Sequence, residues 1–154
     1  MKQFWLMKSE PDAFSFDDLQ AKGKQGEPWD GVRNYQARNH MQNMKKNDLV
    51  LFYHSSTKPA GVVGIAKVIK ESYPDFTALE PESKYFDPKS DPENPRWFMV
   101  DIVFQKHIKR LVTLKEIKAN PALSEMQLVT HSRLSINQVT EQQWDEIIKM
   151  SELS

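Results

Sequence analysis

Cysteine is absent from the 154 residues, which excludes disulfide staples, thiolate nucleophiles and cysteine-based metal sites. Histidine is sparse: His40, His54, His107 and His131 are the full set. No two of them share the short spacing that puts a pair of ligands on one helix or hairpin face, so no metal site is expected. Glycine is scarce too, with five in the chain. Only Gly61 and Gly64 lie close together, without the Lys-Ser/Thr of a phosphate loop or the third glycine of a dinucleotide fingerprint, so no cofactor is expected. No apolar run approaches the roughly 20 residues of a membrane span. Phe4 to Met7 is too short for the core of a signal peptide, so the chain is expected to stay in the compartment where it is made. A cytosolic or nuclear address suits a cysteine-free chain, and a cytoplasmic one is expected.

Net charge is also missing: 21 basic residues balance 21 acidic ones. That balance argues mildly against a general polyanion binder. The distribution is uneven, however. Residues 31–47 carry Arg33, Arg38, Lys45 and Lys46 with no acid, whereas residues 71–101 set eight acids against three basic residues.

What is present reads as one α+β domain spanning residues 1–154. Gln3 to Lys8 leaves no polar face and reads as a buried strand. Ser15 caps a short helix with Asp18 three residues on and Gly23 as its stop. Glu27 to Gly31 is a turn-rich loop. Asn34 caps a second helix carrying Ala37, Met41 and Met44. Leu49–His54 and Val62–Val68 form a hairpin around the turn at residues 57–61. Five prolines and an acid excess make residues 71–96 a long surface loop. Trp97–Phe104 resumes a strand, and Leu111–Leu114 is a separate extended piece. Lys115–Ala119 is a short helix, and Ala122–Gln127 forms another helical turn. Thr140 and Gln143 make a capping box for the last helix, with Val139 and Trp144 placed to staple it.

Serine-hydrolase chemistry finds little support. There is no Gly-x-Ser-x-Gly elbow, and in Tyr53-His54-Ser55-Ser56 adjacent side chains point to opposite faces of a strand. The segment from Trp29 to Arg38 is richer. Two aromatics, two guanidinium groups and two amides fall within ten residues, running from a loop into a helix N-terminus. Trp and Tyr stack on bases, Arg pairs with phosphate, and Asn both donates and accepts at a base edge. The plainer reading makes Trp29 and Tyr35 core anchors and leaves the arginines facing solvent. Glu10-Pro11 and Trp97 are weaker candidates and read as structural.

Lys8-Ser9-Glu10-Pro11, the run Trp29 to Asn39 and Phe52-Tyr53-His54-Ser55 resemble the EVE domain family. So do Gly61 to Gly64, Pro95-Arg96-Trp97 and Arg133-Leu134-Ser135. Val32-Arg33-Asn34-Tyr35-Gln36-Ala37-Arg38-Asn39 is the most specific block. The resemblance implies a PUA-like fold, a mixed-strand pseudo-barrel with flanking helices, with kinship to YTH and ASCH domains. It also implies a non-catalytic module that recognises a modified cytosine or adenine in DNA or RNA, flipped into a pocket. Trp29, Val32, Asn34, Tyr35, Tyr53 and Ser55 would line that pocket, and Ser9, Arg133 and Ser135 would close it. Arg33, Arg38, Lys45 and Lys46 would meet backbone phosphates. A nuclease or other effector encoded separately is an implied partner.

A flipped base loses a few kcal/mol of stacking and pairing, which contacts in the pocket must recover. A buried methyl group adds only about 0.8 kcal/mol. Zero net charge predicts few phosphate contacts and a shallow salt dependence. Two other functions compete. One is a hydrolase of modified nucleosides or RNA using Lys8, Glu10 and His54, which requires those groups to converge. The other is a protein-interaction module built on the acidic loop.

Overall fold

The first strand explains the architecture. β1 (Phe4–Ser9) alternates between two cores: Trp5 and Met7 enter one, Leu6 the other. A strand covered on both faces needs no polar side, which is why Phe4 to Met7 is continuously apolar. The structure, a computed structural model, describes residues 2–153. It pairs β1 in parallel with β3 (Leu49–His54), from Phe4 beside Leu49 to Ser9 beside His54. On its other side β1 runs antiparallel to β6 (Ile136–Val139). With β2 (Glu27–Pro28), β4 (Gly61–Pro74) and β5 (Phe98–Thr113) the sheet has six strands in the order β2-β5-β4-β3-β1-β6.

Helices cover both faces. α1 (Phe16–Ala21) and α2 (Tyr35–Asn43) pack on the first core. α3 (Leu114–Ala119), α4 (Gln127–Thr130) and α5 (Glu141–Glu152) pack on the second. The first core joins Ile102 of β5 and Ile136 of β6 around Ala37 and Met41 of α2. The sheet therefore curls so that strands near its two ends share one interior. This is the α+β, barrel-like arrangement expected from the sequence.

Local signals match the helix starts. Ser15 and Asp18 exchange both bonds of a capping box, as do Thr140 and Gln143, and Asn34 accepts from the Ala37 N–H at 2.9 Å. Val139 and Trp144 are buried in the same core. The strand ends differ from expectation. β4 continues past Val68 to Pro74, and the two extended pieces expected at Trp97–Phe104 and Leu111–Leu114 are parts of one strand, β5, which runs from Phe98 to Thr113 while Leu114 opens α3. Four register shifts interrupt the β4–β5 pairing. Each such irregularity bends a strand and breaks the two-residue period. The exposed run Gln105, Lys106 and His107 thus resembled a loop although it is a solvent-facing stretch of strand. Glu27–Pro28, expected as loop, is a two-residue edge strand on β5.

One ion pair beside α3 has a pH signature. Arg110 donates to both oxygens of Glu116, at 3.0 and 2.8 Å, and holds its carboxyl down from an ordinary 4.5 to about 2. A depressed carboxyl stabilises the fold fully above about pH 4.5, and that contribution disappears as the pH falls towards 2. Arg110→Ala is therefore expected to be less stable than the parent at pH 6, with the difference closing by pH 2. Urea melts across that range measure it. A gap independent of pH would show that the half-exposed pair is screened out by solvent.

Candidate base-binding pocket

The Trp29–Asn34 segment is fixed at three points. The Trp29 N–H donates to the Val100 carbonyl at 2.7 Å, extending the β2–β5 pairing. Gly31 takes a positive φ of 77° and donates its N–H to Asp75 Oδ2 at 2.8 Å. Asn34 then caps α2. Between these points Val32 is buried in the first core, and Trp29 meets Phe14 and Phe52 edge to face at 6.2 and 5.7 Å.

Asp75 organises the centre. Its side chain is fully buried, and the Arg33 guanidinium reaches it at 3.0 Å. The same guanidinium donates twice to the Tyr85 carbonyl, at 3.1 and 2.6 Å, and once to Thr77 Oγ1 at 3.3 Å. Arg33 therefore ties Tyr85, in the proline- and acid-rich stretch, onto the Gly31 turn. The Tyr85 ring lies so close that a Cβ on Gly31 would sit 2.5 Å from it.

Across from this loop lie the C-terminal ends of the two parallel strands. The Ser55 N–H donates to Ser9 O, and the Lys8 N–H to Ser135 O, both at 2.9 Å. Lys8 Nζ donates to the Ser132 carbonyl at 2.8 Å. Loop and strand ends enclose a cavity of about 510 Å³. Trp29, Val32, Phe14 and Tyr85 give it apolar walls; Lys8, Ser9, Glu10, Asp30, Ser55, Arg133 and Ser135 give it polar groups. Burial lowers the Lys8 ammonium pKa. Burial first, and then nearby Asp75, raises that of the Asp30 carboxyl. The cavity thus pairs aromatic surface with hydrogen-bond donors and acceptors, and its size suits a single nucleobase.

The EVE domain model matches residues 3–150. The chain belongs to the EVE domain family. This EVE domain is 43% identical to thymocyte nuclear protein 1 of Rattus norvegicus over 169 residues, covering 99% of this chain and 75% of the relative. A hypothetical protein from Leishmania major superimposes with a TM-score of 0.92 at 49% identity, covering 99% of this chain and 96% of that one. The human THYN1 protein in complex with 5-methylcytosine-containing DNA superimposes with a TM-score of 0.95 at 40% identity, over 99% of each chain. The name carried by the rat relative, and by those from mouse and human, is that of a nuclear protein. It contradicts the cytoplasmic address expected from the sequence, and that address does not stand.

The structure of this EVE domain sorts the residues singled out from the sequence. Ser9, Trp29, Val32, Ser55, Arg133 and Ser135 line the cavity. Asn34 does not. Its side chain is the cap of α2, and it borders a neighbouring depression of about 350 Å³ that shares Ser132 and Arg133 with the cavity. Tyr35 also lies outside: it is 53% exposed and stacks on Trp97 at 5.0 Å. Tyr53 is buried in the second core behind Lys8, whose ammonium lies 5.8 Å from its ring.

The four cations expected at phosphates fare differently. Arg33 lines the cavity, but its guanidinium is taken up by Asp75, Thr77 and Tyr85. Arg38 donates to the Arg96 carbonyl and to Asn39 Oδ1. Lys45 and Lys46 precede β3, at the opposite end of the strands whose C-terminal ends floor the cavity. Five residues of strand, roughly 17 Å, separate the two ends. The hydrolase trio does not assemble either. Lys8 and Glu10 line the cavity, whereas His54 Nε2 lies outside it and accepts the Phe16 N–H at 3.0 Å.

Sequence reasoning missed Tyr85, Asp30 and Phe14. Asp30 lies inside the Trp29–Asn39 run without having been given a role, and Phe14 lies three residues after Lys8-Ser9-Glu10-Pro11. Tyr85 gave no signal beyond being an aromatic in an otherwise polar, irregular stretch.

Proposed function

We propose that this chain acts as one EVE domain, 1–154, that binds DNA carrying 5-methylcytosine and holds the flipped base in the cavity beside Trp29. The observation that carries the reading is that the first part of the family's Trp29–Asn39 run borders a cavity of about 510 Å³: Trp29, Asp30, Gly31, Val32 and Arg33 all line it. The human relative in complex with 5-methylcytosine-containing DNA supplies the base and the nucleic acid. Ser9, Ser55, Arg133 and Ser135 are the polar contacts, and Tyr85 replaces Tyr35 and Tyr53 as the second aromatic. The protein works by binding rather than turnover, since His54 is committed elsewhere and leaves Lys8 and Glu10 without a third group. An effector encoded separately acts on what it binds.

Trp29 gives the reading its largest side chain. Stacking on an aromatic contributes roughly 1–3 kcal/mol per base, and a buried methyl group about 0.8 kcal/mol, or roughly fourfold in affinity. Matched oligonucleotides bearing cytosine, 5-methylcytosine, 5-hydroxymethylcytosine or N6-methyladenine, as DNA and RNA at fixed low salt, provide the test. The expected result is tightest binding to 5-methylcytosine DNA, weakened roughly 5- to 150-fold by Trp29→Ala. Equal binding across the panel, or a Trp29→Ala protein that binds as the parent does, would overturn the reading.

A further inference from the structure

5-Methylcytosine and thymine share an outline and a C5 methyl group. They differ on the pairing edge: at C4 cytosine carries an amino donor and thymine a carbonyl acceptor, and at N3 cytosine is an acceptor where thymine has an N–H donor. Apolar walls such as Phe14, Trp29 and Val32 hold the two alike. A pocket that admits methylated cytosine therefore separates it from thymine only with polar groups facing that edge, and a group at C4 meets the exocyclic difference directly. This inference rests on the reading proposed above.

Three carboxylates border the cavity: Glu10, Glu27 and Asp30. Glu27 is drawn to Lys22, 3.6 Å away. Glu10 is on the exposed turn after β1, where its backbone carbonyl accepts the Ala13 and Phe14 N–H groups. Asp30 stands between Trp29, a wall of the cavity, and Gly31, the turn on which Tyr85 rests. Burial and the nearby Asp75 charge raise the pKa of its carboxyl, and its own backbone N–H and the Arg33 and Lys84 charges only partly oppose them. An incoming N–H donor relieves a carboxylate in that state, while an incoming carbonyl oxygen adds a second repulsion. Lys8 is the complementary donor. One of its three N–H groups goes to Ser132 O, and the others serve ring acceptors such as O2, which both bases possess.

We propose that Asp30 is the specificity-determining residue of the pocket, its carboxylate accepting the C4-amino N–H of methylated cytosine and rejecting thymine.

Competition binding tests this with one duplex carrying cytosine, 5-methylcytosine or thymine opposite an abasic site, so that no base pair has to be broken. The parent protein is expected to prefer 5-methylcytosine over thymine by roughly 5- to 150-fold. Asp30→Ala is expected to bring that ratio near parity, and Asp30→Asn, whose amide can turn its donor to O4, to narrow it. Both should keep the preference for 5-methylcytosine over cytosine, because the walls are unchanged. Glu152→Gln, which alters an exposed carboxylate in α5 on the second core, should leave both ratios as they are. Asp30 lies at the surface, and circular dichroism confirms that each variant is folded. An unchanged thymine ratio in Asp30→Ala overturns the assignment while methyl reading stands. So does a parent that holds thymine and 5-methylcytosine equally but prefers both to cytosine. A parent indifferent to the methyl group overturns the function itself, and this inference with it.

Discussion

Arg33→Ala is expected to lower the free energy of unfolding by about 3–5 kcal/mol, because it leaves a buried carboxylate without its cation. Asp75 has no solvent exposure at its side chain, and Arg33 is its ion-pair partner at 3.0 Å. The Gly31 and Thr77 N–H groups would remain as donors, but they carry no net charge. The variant also strands the Tyr85 carbonyl, which accepts two of the guanidinium bonds. Arg33→Lys should recover only part of the loss, since one ammonium cannot reproduce a planar fork that reaches Asp75, the Tyr85 carbonyl and Thr77 Oγ1 together. Urea denaturation followed by tryptophan fluorescence measures both. A loss below about 1 kcal/mol, the value of an exposed pair, would mean that water reaches Asp75 and that the pair is not the anchor its burial implies.

Gly31→Ala should act on binding more than on folding. A side chain at a φ of 77° costs roughly 1–2 kcal/mol in backbone strain. The larger consequence is steric: the new Cβ would meet the Tyr85 ring at 2.5 Å, and the ring must move. If Tyr85 is a wall of the base pocket, affinity for a 5-methylcytosine oligonucleotide falls roughly 5- to 150-fold, the value of one aromatic contact to a base. Tyr85→Ala should match it within a few fold. Titration of the same labelled duplex with both variants gives the comparison. Gly31→Ala with parental affinity would remove Tyr85 from the site.

These two residues mark where the sequence stopped being readable. Capping boxes at Ser15 and Thr140 were legible because both partners lie within one helical turn. β1 was legible because burial on both faces leaves a run with no polar alternation. The loop beginning at Trp29 was legible from its chemistry, since aromatic, amide and guanidinium groups cluster there. The direction each side chain takes was not. Arg33 and Arg38 look alike on paper, yet Arg33 turns inward because a carboxylate 42 residues away waits there. Asn34 could serve a base edge or a helix, and the free N–H groups of α2 are nearer. Tyr53 follows strand alternation into the second core, while Ser55, beyond the strand end, escapes it. Tyr85 stayed hidden for the plainest reason: its partners, Gly31 and Arg33, lie more than 50 residues away, and its own neighbours have no period.

The Arg33–Asp75 pair also governs how this protein can change over generations. The stretch after Asp75 looks free to drift, being irregular, proline-rich and largely exposed. Yet its anchor is charge-matched to the Trp29–Asn34 loop. A lineage that loses Arg33 is left with a stranded anion at residue 75, and one that loses Asp75 with a stranded cation at residue 33. The two segments form one heritable unit. Viable substitutions at 33 and 75 should appear together, and the residues between Leu79 and Arg96 should vary freely everywhere except around Tyr85.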